Sequence, residues 1–257
     1  MSLNLEKVGA ILGVVKGGQM SGKYISVSTD KTLDSGGKTY QDIKLSSGKI
    51  QPIMDYNKER FVGYICGASG SGKSYYIAEW VKEYKRKFKN NPVYVLSSLS
   101  EDETLDKIKP KRVILDDAFA KEKIDLEMYR DCLVVFDDTD AIAEKSIKIS
   151  VYALLNQMLN LGRHFNTSVW VVSHTPTGTR SETKVILNEC ETLTFFPANL
   201  NRQLSYLLEN YAGLDRKAIK KISKMENRWI TIYKHFPQVL LADNHITMLK
   251  NITNDDD

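Results

Sequence analysis

The stretch that most constrains how this chain can fold is Gly67-Ala68-Ser69-Gly70-Ser71-Gly72-Lys73-Ser74. An apolar, strand-like run, Phe61–Cys66, leads into it. Residues 74–89 follow with Ile77, Val81, Tyr84 and Phe88 on one helical face, ended by Asn90-Asn91-Pro92. A G-x-x-x-x-G-K-[ST] loop between strand and helix turns successive backbone N–H groups inward around a phosphate, and the helix start favours the same negative charge. In that geometry Lys73 reaches the β- and γ-phosphates of ATP and the Ser74 hydroxyl ligates Mg²⁺. The bland alternative is a glycine-rich turn without a ligand, which the complete strand–loop–helix context disfavours. Context also disposes of a decoy. Gly17-Gly18-Gln19-Met20-Ser21-Gly22-Lys23 fits G-x-x-x-x-G-K, but Tyr24 follows it and the next residues alternate like a strand, so it reads as a hairpin turn.

From Arg60 onward, strand-like runs alternate with helical patterns, the signature of a parallel sheet covered by helices. Val93–Leu96, Val113–Leu115, Leu133–Phe136, Ser168–Val172 and Thr192–Phe196 read as strands. Residues 146–161 carry Ile147, Val151, Leu154, Leu155, Met158 and Leu159 at helical spacing, and Gly162 is placed to stop that helix. Two more helices centre on Leu204–Tyr211 and Ala218–Met225. Trp229–His235 with Gln238–Leu241 reads as a closing hairpin, and Asn254–Asp257 as a frayed tail. Eight of the 15 glycines fall in the first 50 residues, among the β-type runs Val8–Val15, Tyr24–Ser28, Thr39–Leu45 and Lys49–Ile53, with turn signals at Gly17-Gly18 and Gly36-Gly37. The expected architecture is α/β: a nucleotide-binding domain over residues 58–257 with a mostly parallel sheet, preceded by a small β-rich unit over residues 1–57.

A hydrolytic phosphate loop needs a carboxylate at the end of a neighbouring apolar strand. Two segments compete, Val113-Ile114-Leu115-Asp116-Asp117 and Leu133-Val134-Val135-Phe136-Asp137-Asp138. The second has the longer apolar run, so Asp137 is assigned to Mg²⁺ and Asp138 to orienting and deprotonating the attacking water. Asp116-Asp117 is read as a solvated strand end or turn. GTPases are disfavoured, because no Asn-Lys-x-Asp segment occurs and no D-x-x-G follows Asp137. The strand ending in Ser173-His174 would lie beside that of Asp137, where either side chain can sense the γ-phosphate. His174 is equally readable as a hydrogen-bonded strand-end histidine. Arg163, placed at the rim of the same edge, is either an arginine finger for a neighbouring subunit's nucleotide or a charge compensating the helix C-terminus. His164 reads as local packing. His164, His174, His235 and His245 show no metal spacing.

The loop Gly-Ala-Ser-Gly-Ser-Gly-Lys-Ser, the Val-Val-Phe-Asp-Asp strand and the segment Gly162-Arg163-His164-Phe165-Asn166-Thr167-Ser168 together resemble the poxvirus-type genome-packaging ATPases of nucleocytoplasmic large DNA viruses. Those belong to the FtsK–HerA superfamily of P-loop motors. The Arg-His-x-Asn-x-Ser element is the discriminating part. The resemblance is carried by Phe61–Pro176, extends less specifically through Phe236, and leaves the first 55 residues outside. It implies a RecA-like core with the catalytic strand between the P-loop strand and the outer strands. It also implies a homo-oligomeric ring and ATP-driven translocation of double-stranded DNA into a capsid, with a capsid or portal-vertex protein as a further partner. The corresponding location is the host cytoplasm, at the viral factory, and the virion. Carried over by motif, Gly67–Ser74 bind nucleotide, Ser74 and Asp137 hold Mg²⁺, and Lys73, Asp138, Arg163 and His174 are the candidate catalytic residues. One departure is that the superfamily usually has Gln where this chain has His174, which leaves sensing to His174, to Ser173 or to neither.

Charge bears on the DNA side. The net charge of +4 over 257 residues is uninformative as a total. Residues 201–235, however, hold eight Lys or Arg against three acids, and Lys217, Lys220, Lys221 and Lys224 would share one helix face. Such a stripe suits salt-sensitive phosphate contacts, and also a merely solvated helix surface. Hydrophobic residues at 42% exclude a wholly disordered chain. No apolar run approaches the ~18–20 residues of a membrane span. Val8–Val15 follows Glu6 rather than a basic leader, so a signal peptide is not expected. Cys66, Cys132 and Cys190 lack disulfide or metal spacing and read as buried thiols in a reducing compartment. Two other readings remain: a P-loop nucleotide kinase or regulatory NTPase without DNA translocation, and a nucleotide-gated adaptor.

Overall fold

The structure is a computed structural model and describes residues 1–28, 39–176 and 181–249. The Gly36-Gly37 turn and the tail Asn254–Asp257 lie outside the described residues. The chain forms two compact units, residues 59–191 and residues 1–58 together with 192–257. In chain order, β1 (Ser2–Asn4), β2 (Ala10–Lys16), β3 (Tyr24–Ser28), β4 (Asp42–Lys44) and β5 (Lys49–Pro52) come first. Then follow β6 (Val62–Cys66), α1 (Lys73–Lys87), β7 (Val93–Ser97), β8 (Lys111–Ile114), α2 (Asp117–Lys121), β9 (Leu133–Phe136), α3 (Lys145–Leu161), β10 (Ser168–Ser173) and α4 (Ser181–Glu189). The last elements are β11 (Thr192–Phe195), α5 (Arg202–Ala212), α6 (Arg216–Ile222), β12 (Ile230–Tyr233), β13 (Val239–Ala242) and β14 (His245–Met248).

In the unit 59–191, strands β6, β10, β9, β7 and β8 lie side by side in that order, each parallel to its neighbours. Every residue of β6, β9 and β10 is buried, which is why these strands are continuous apolar runs instead of alternating ones. The acidic strand β9 sits between β10 and the outer pair β7 and β8, so β10, not β9, is the direct neighbour of β6. Because the strands are parallel, their C-terminal ends share one edge, the usual ligand edge of such sheets.

Packing around β6 and β10 explains one glycine. Trp170 is fully buried and faces Phe61, Tyr76 and Trp80, with ring centroids 5.1, 5.9 and 5.4 Å away. A Cβ on Gly63 would stand 2.5 Å from the Trp170 ring and 2.6 Å from Phe61, so only glycine leaves room for this aromatic cluster. Each aromatic pair contributes about 0.5–1.5 kcal/mol beyond its buried area. The cluster fastens the buried face of α1 (Tyr76, Ile77, Trp80, Val81, Tyr84) to the two strands.

The end of α3 differs from the expectation for Gly162. Gly162 is right-handed (φ −58, ψ −17) and the chain continues through a 3-10 turn to Phe165, where Asn166 (φ 51) makes the left-handed exit. Arg60 packs over Gly162, with Nε 3.1 Å from where a Cβ would stand, so a larger residue there would have to displace the guanidinium by a few tenths of an ångström. Arg60 donates to the carbonyls of Met158, Leu159 and Thr167 at 2.9, 3.1 and 3.0 Å, sealing the helix end that was assigned to Arg163 as the alternative to a finger.

In the other unit, β1, β3, β2 and β5 form one antiparallel sheet. Strands β11, β12, β13, β14 and β4 run antiparallel in that order. Leu3, Leu12, Val15, Ile25, Val27 and Ile50 share one core with Val239, Leu241, Ile246 and Met248. This shared core is why residues 192–257 group with 1–58, whereas the sequence reading placed them with the nucleotide-binding domain. The N-terminal sheet has four strands, but β1 occupies the place expected for Thr39–Leu45, whose strand β4 pairs with β14 instead. The C-terminal hairpin likewise gains a third strand. Gly17–Lys23 is the turn between β2 and β3. The basic helix α6 ends at Ile222, so Lys224 lies beyond the helix face it was expected to share.

Candidate active site

The site is built from the C-terminal ends of β6, β9 and β10. After β6, Gly70 (φ 75) and Gly72 (φ 106) adopt positive φ, which turns the loop back over the start of α1. Gly67 N–H donates to the Ser173 carbonyl at 3.1 Å, tying the loop to the end of β10. α1 begins with no side-chain cap and no acidic residue in its first turn, leaving its amide dipoles open to an anion. The Ser71 hydroxyl is sealed from solvent and has no hydrogen-bond partner among the described residues. Ser74 stands half-buried on the first turn of α1.

Lys73 is only 6% exposed. Its ammonium donates to Gly67 O at 2.9 Å, lies 3.7 Å from Asp138 Oδ1, and lies 3.3 Å from His174 Nδ1. His174 Nε2 in turn lies 2.9 Å from Asp138 Oδ2. An ammonium has only protons to give and a carboxylate only lone pairs, so the neutral ring is read as accepting at Nδ1 and donating from Nε2. Asp138 reaches this position from a left-handed backbone (φ 48), a conformation that costs a non-glycine residue roughly 1–2 kcal/mol.

Asp137 turns the other way. It is buried, its carboxylate accepts from the Ser97 hydroxyl at 3.3 Å, and burial, reinforced by the neighbouring Asp138 charge, raises its pKa to about 6. A cation at this carboxylate would relieve that burial. Among the described residues no group of three His, Cys, Asp or Glu side chains could hold a metal alone. Magnesium carried with a nucleotide needs only one or two protein oxygens, and Asp137 and the Ser74 hydroxyl fit that donor set.

The structure thus brings together Lys73, Asp138 and His174, with Asp137 at the end of the same strand. It does not bring Arg163 to them. Arg163 is exposed in the 3-10 turn before β10, at the opposite end of that strand from His174, and not at the rim of the same edge as expected. Its motif neighbours form a structural knot. Asn166 Nδ2 donates to Asp131, Thr167 Oγ1 to Tyr129 O, and the Phe61 amide to Ser168 Oγ. Among the described residues Arg163 itself makes no hydrogen bond or ion pair. Asp116 does not merely end a strand: its side chain accepts from the amides of Ala118 and Phe119 and caps α2. Two residues escaped the sequence reading. The single Tyr64 O–H is shared between the carbonyls of Thr175 and Pro176, and the Asp140 carboxylate accepts from four donors in residues 173–175. The spacing Asp137-Asp138-x-Asp140 was the available signal for the second.

No protein-family model matches the chain. The uncharacterized protein V3 of the Sputnik virophage is 36% identical over 248 residues, covering 94% of this chain and 96% of V3. The chain belongs to the V3 family. Among solved structures, the cytoplasmic domain of the Thermomonospora curvata type VII secretion ATPase EccC superposes with a TM-score of 0.54 at 12% identity, over 79% of this chain and 28% of EccC. At that identity the likeness speaks for the fold, and the α/β P-loop architecture implied by the motifs is the fold of this V3-family chain. The genome-packaging NTPase B204 of Sulfolobus turreted icosahedral virus 2, solved with AMPPCP, is similar with a TM-score of 0.49 at 13% identity, over 72% of this chain and 98% of B204. Among the described residues, no helix of the V3-family chain is long and apolar enough to cross a membrane.

Proposed function

We propose that this V3-family chain hydrolyses ATP and couples the reaction to movement of double-stranded DNA into a virus capsid, working as a homo-oligomeric ring in the infected cell. The observation that carries the reading is the joint contact of Lys73, Asp138 and His174 beside an uncapped phosphate loop. Binding falls to the backbone of Gly67–Ser74 and to Lys73, which exchanges its contact with Gly67 O for phosphate oxygens and keeps its third N–H for His174. Ser74 and Asp137 hold Mg²⁺, which supplies charge neutralisation at the phosphates when bound. Asp138 orients the attacking water and takes its proton, and His174 links that carboxylate to Lys73. Arg163, exposed and without a partner among the described residues, is offered to the nucleotide of a neighbouring copy.

The relationship to V3 of a virophage supports a viral setting. The exposed Lys217 and Lys220 on α6, with Lys224 just beyond it, support contact with nucleic-acid phosphates. The unit containing residues 1–58 is the candidate for a capsid or portal-vertex protein. Steady-state ATP hydrolysis with and without double-stranded DNA, with molar mass measured by light scattering on the same sample, tests the reading. A ring whose turnover rises with DNA supports it. A DNA-indifferent monomer would point to a kinase or regulatory NTPase, and ATP binding without turnover to an adaptor.

A further inference from the structure

We propose that Asp140 is a positioning residue for the hydrolytic site, holding the end of β10 so that the His174 imidazole stands between Lys73 and Asp138. Four donors converge on Asp140 Oδ2: the Ser173 hydroxyl at 2.8 Å, the His174 amide at 3.1 Å, and the Thr175 amide and hydroxyl at 3.2 and 3.1 Å. A charged acceptor with this many donors is worth more than neutral hydrogen bonds would be, and it fixes the backbone on both sides of His174. Asp140 is itself tied down, because Lys148 Nζ on α3 donates to its carbonyl at 3.0 Å. From the other side, Tyr64 on β6 holds the carbonyls of Thr175 and Pro176 at 2.9 and 3.0 Å. The segment carrying His174 is therefore gripped by the turn after β9 and by the P-loop strand, leaving the imidazole as the group that spans the space between Lys73 and Asp138. Asp140 makes no ion pair among the described residues, so its charge serves these four donors.

The inference rests on the ATPase reading for its kinetic test and on geometry alone for its spectroscopic one. Asp140→Asn leaves one neutral amide oxygen for the four donors and turns the other, which the His174 amide also approaches at 3.3 Å, into an NH₂ group facing that N–H, so His174 loses its charged seat. Turnover is expected to fall roughly tenfold to a hundredfold, as for a small misplacement of a reacting constellation, while affinity for a fluorescent ATP analogue changes little. In a His174→Ala background the same substitution should cause no further fall, since Asp140 acts through that ring. An equal loss in both backgrounds, or normal turnover in Asp140→Asn, overturns the proposal. Lys148→Met should reproduce the effect more weakly and serves if Asp140→Asn does not fold. Without nucleotide, ring-nitrogen NMR of histidine-labelled protein should show His174 as one fixed tautomer protonated at Nε2, averaging between tautomers in Asp140→Asn. An unchanged His174 signal also overturns the proposal. Absence of turnover in the wild type removes the ATPase reading and leaves this spectrum to decide the role of Asp140.

Discussion

His174 stands 2.9 Å from Asp138 through Nε2, while its other ring nitrogen faces Lys73 at 3.3 Å. One imidazole thus spans the cation that would meet the phosphates and the carboxylate that would meet the water. Where the superfamily that the sequence resembles usually carries a glutamine amide, this chain places a ring with the same pair of functions, one acceptor and one donor. That equivalence requires the neutral ring, since a protonated imidazole has no acceptor to offer Lys73.

Asp138→Asn should keep nucleotide affinity and lose turnover by about 10²–10⁴-fold, the range for removing a positioned general base. Lys73→Ala should lose nucleotide binding itself. Fluorescent-analogue titration and phosphate release separate the two. Normal turnover in Asp138→Asn would show that the base has been misassigned.

Asp137 gives a pH signature. Its pKa rises from 3.8 to about 6 in the folded state, so the folded protein retains this proton where the unfolded chain has lost it. The group's contribution to stability is fully present below about pH 4, declines as pH climbs to about 6, and stays low above. Asp137→Asn should therefore stabilise the nucleotide-free protein by up to about 3 kcal/mol at neutral pH and by little near pH ~4. Urea titrations at the two pH values check this, and a substitution that destabilises at neutral pH would contradict it.

Gly63→Ala places a methyl group against two rigid rings, Trp170 and Phe61. Overpacking of this kind costs about 1–3 kcal/mol, read as a lower urea midpoint. Because the clash lies on the P-loop strand, loss of nucleotide affinity should accompany it.

Arg163→Ala should leave nucleotide binding intact and reduce turnover only in the assembled state. Mixed rings of Arg163→Ala and Lys73→Ala subunits should recover part of the activity at interfaces where an intact arginine meets an intact phosphate loop. No recovery in verified mixed rings would assign the exposed arginine another task.

The phosphate loop, the acidic strand and the long helix α3 were legible because each is specified locally: a complete spacing of glycines with a lysine, an unbroken apolar run ending in two aspartates, and a 3.6-residue apolar stripe. What escaped the sequence depends on partners distant in the chain. The strand β1 is three residues long and exists through its pairing with β3, β14 is recognisable only by its pairing with β13 and β4, and nothing local told which strand β4 would join. Arg163 was misplaced because a motif fixes neighbours along the chain and not the edge of the sheet they occupy. Arg60, 98 and 99 residues from the carbonyls it seals on α3, left no local trace.

Strand β10 stands between the turn that carries Arg163 and His174, which follows its last residue, and its six residues alone span about 20 Å. The strand is a spacer of fixed length, because Trp170 fills the space over Gly63 and Arg60 pins the turn that presents Arg163. That gap exceeds the reach of a side chain, so a subunit cannot serve its own phosphates with this arginine. In the proposed ring each copy is then a donor to one site and the owner of another, with strand β10 standing between the two.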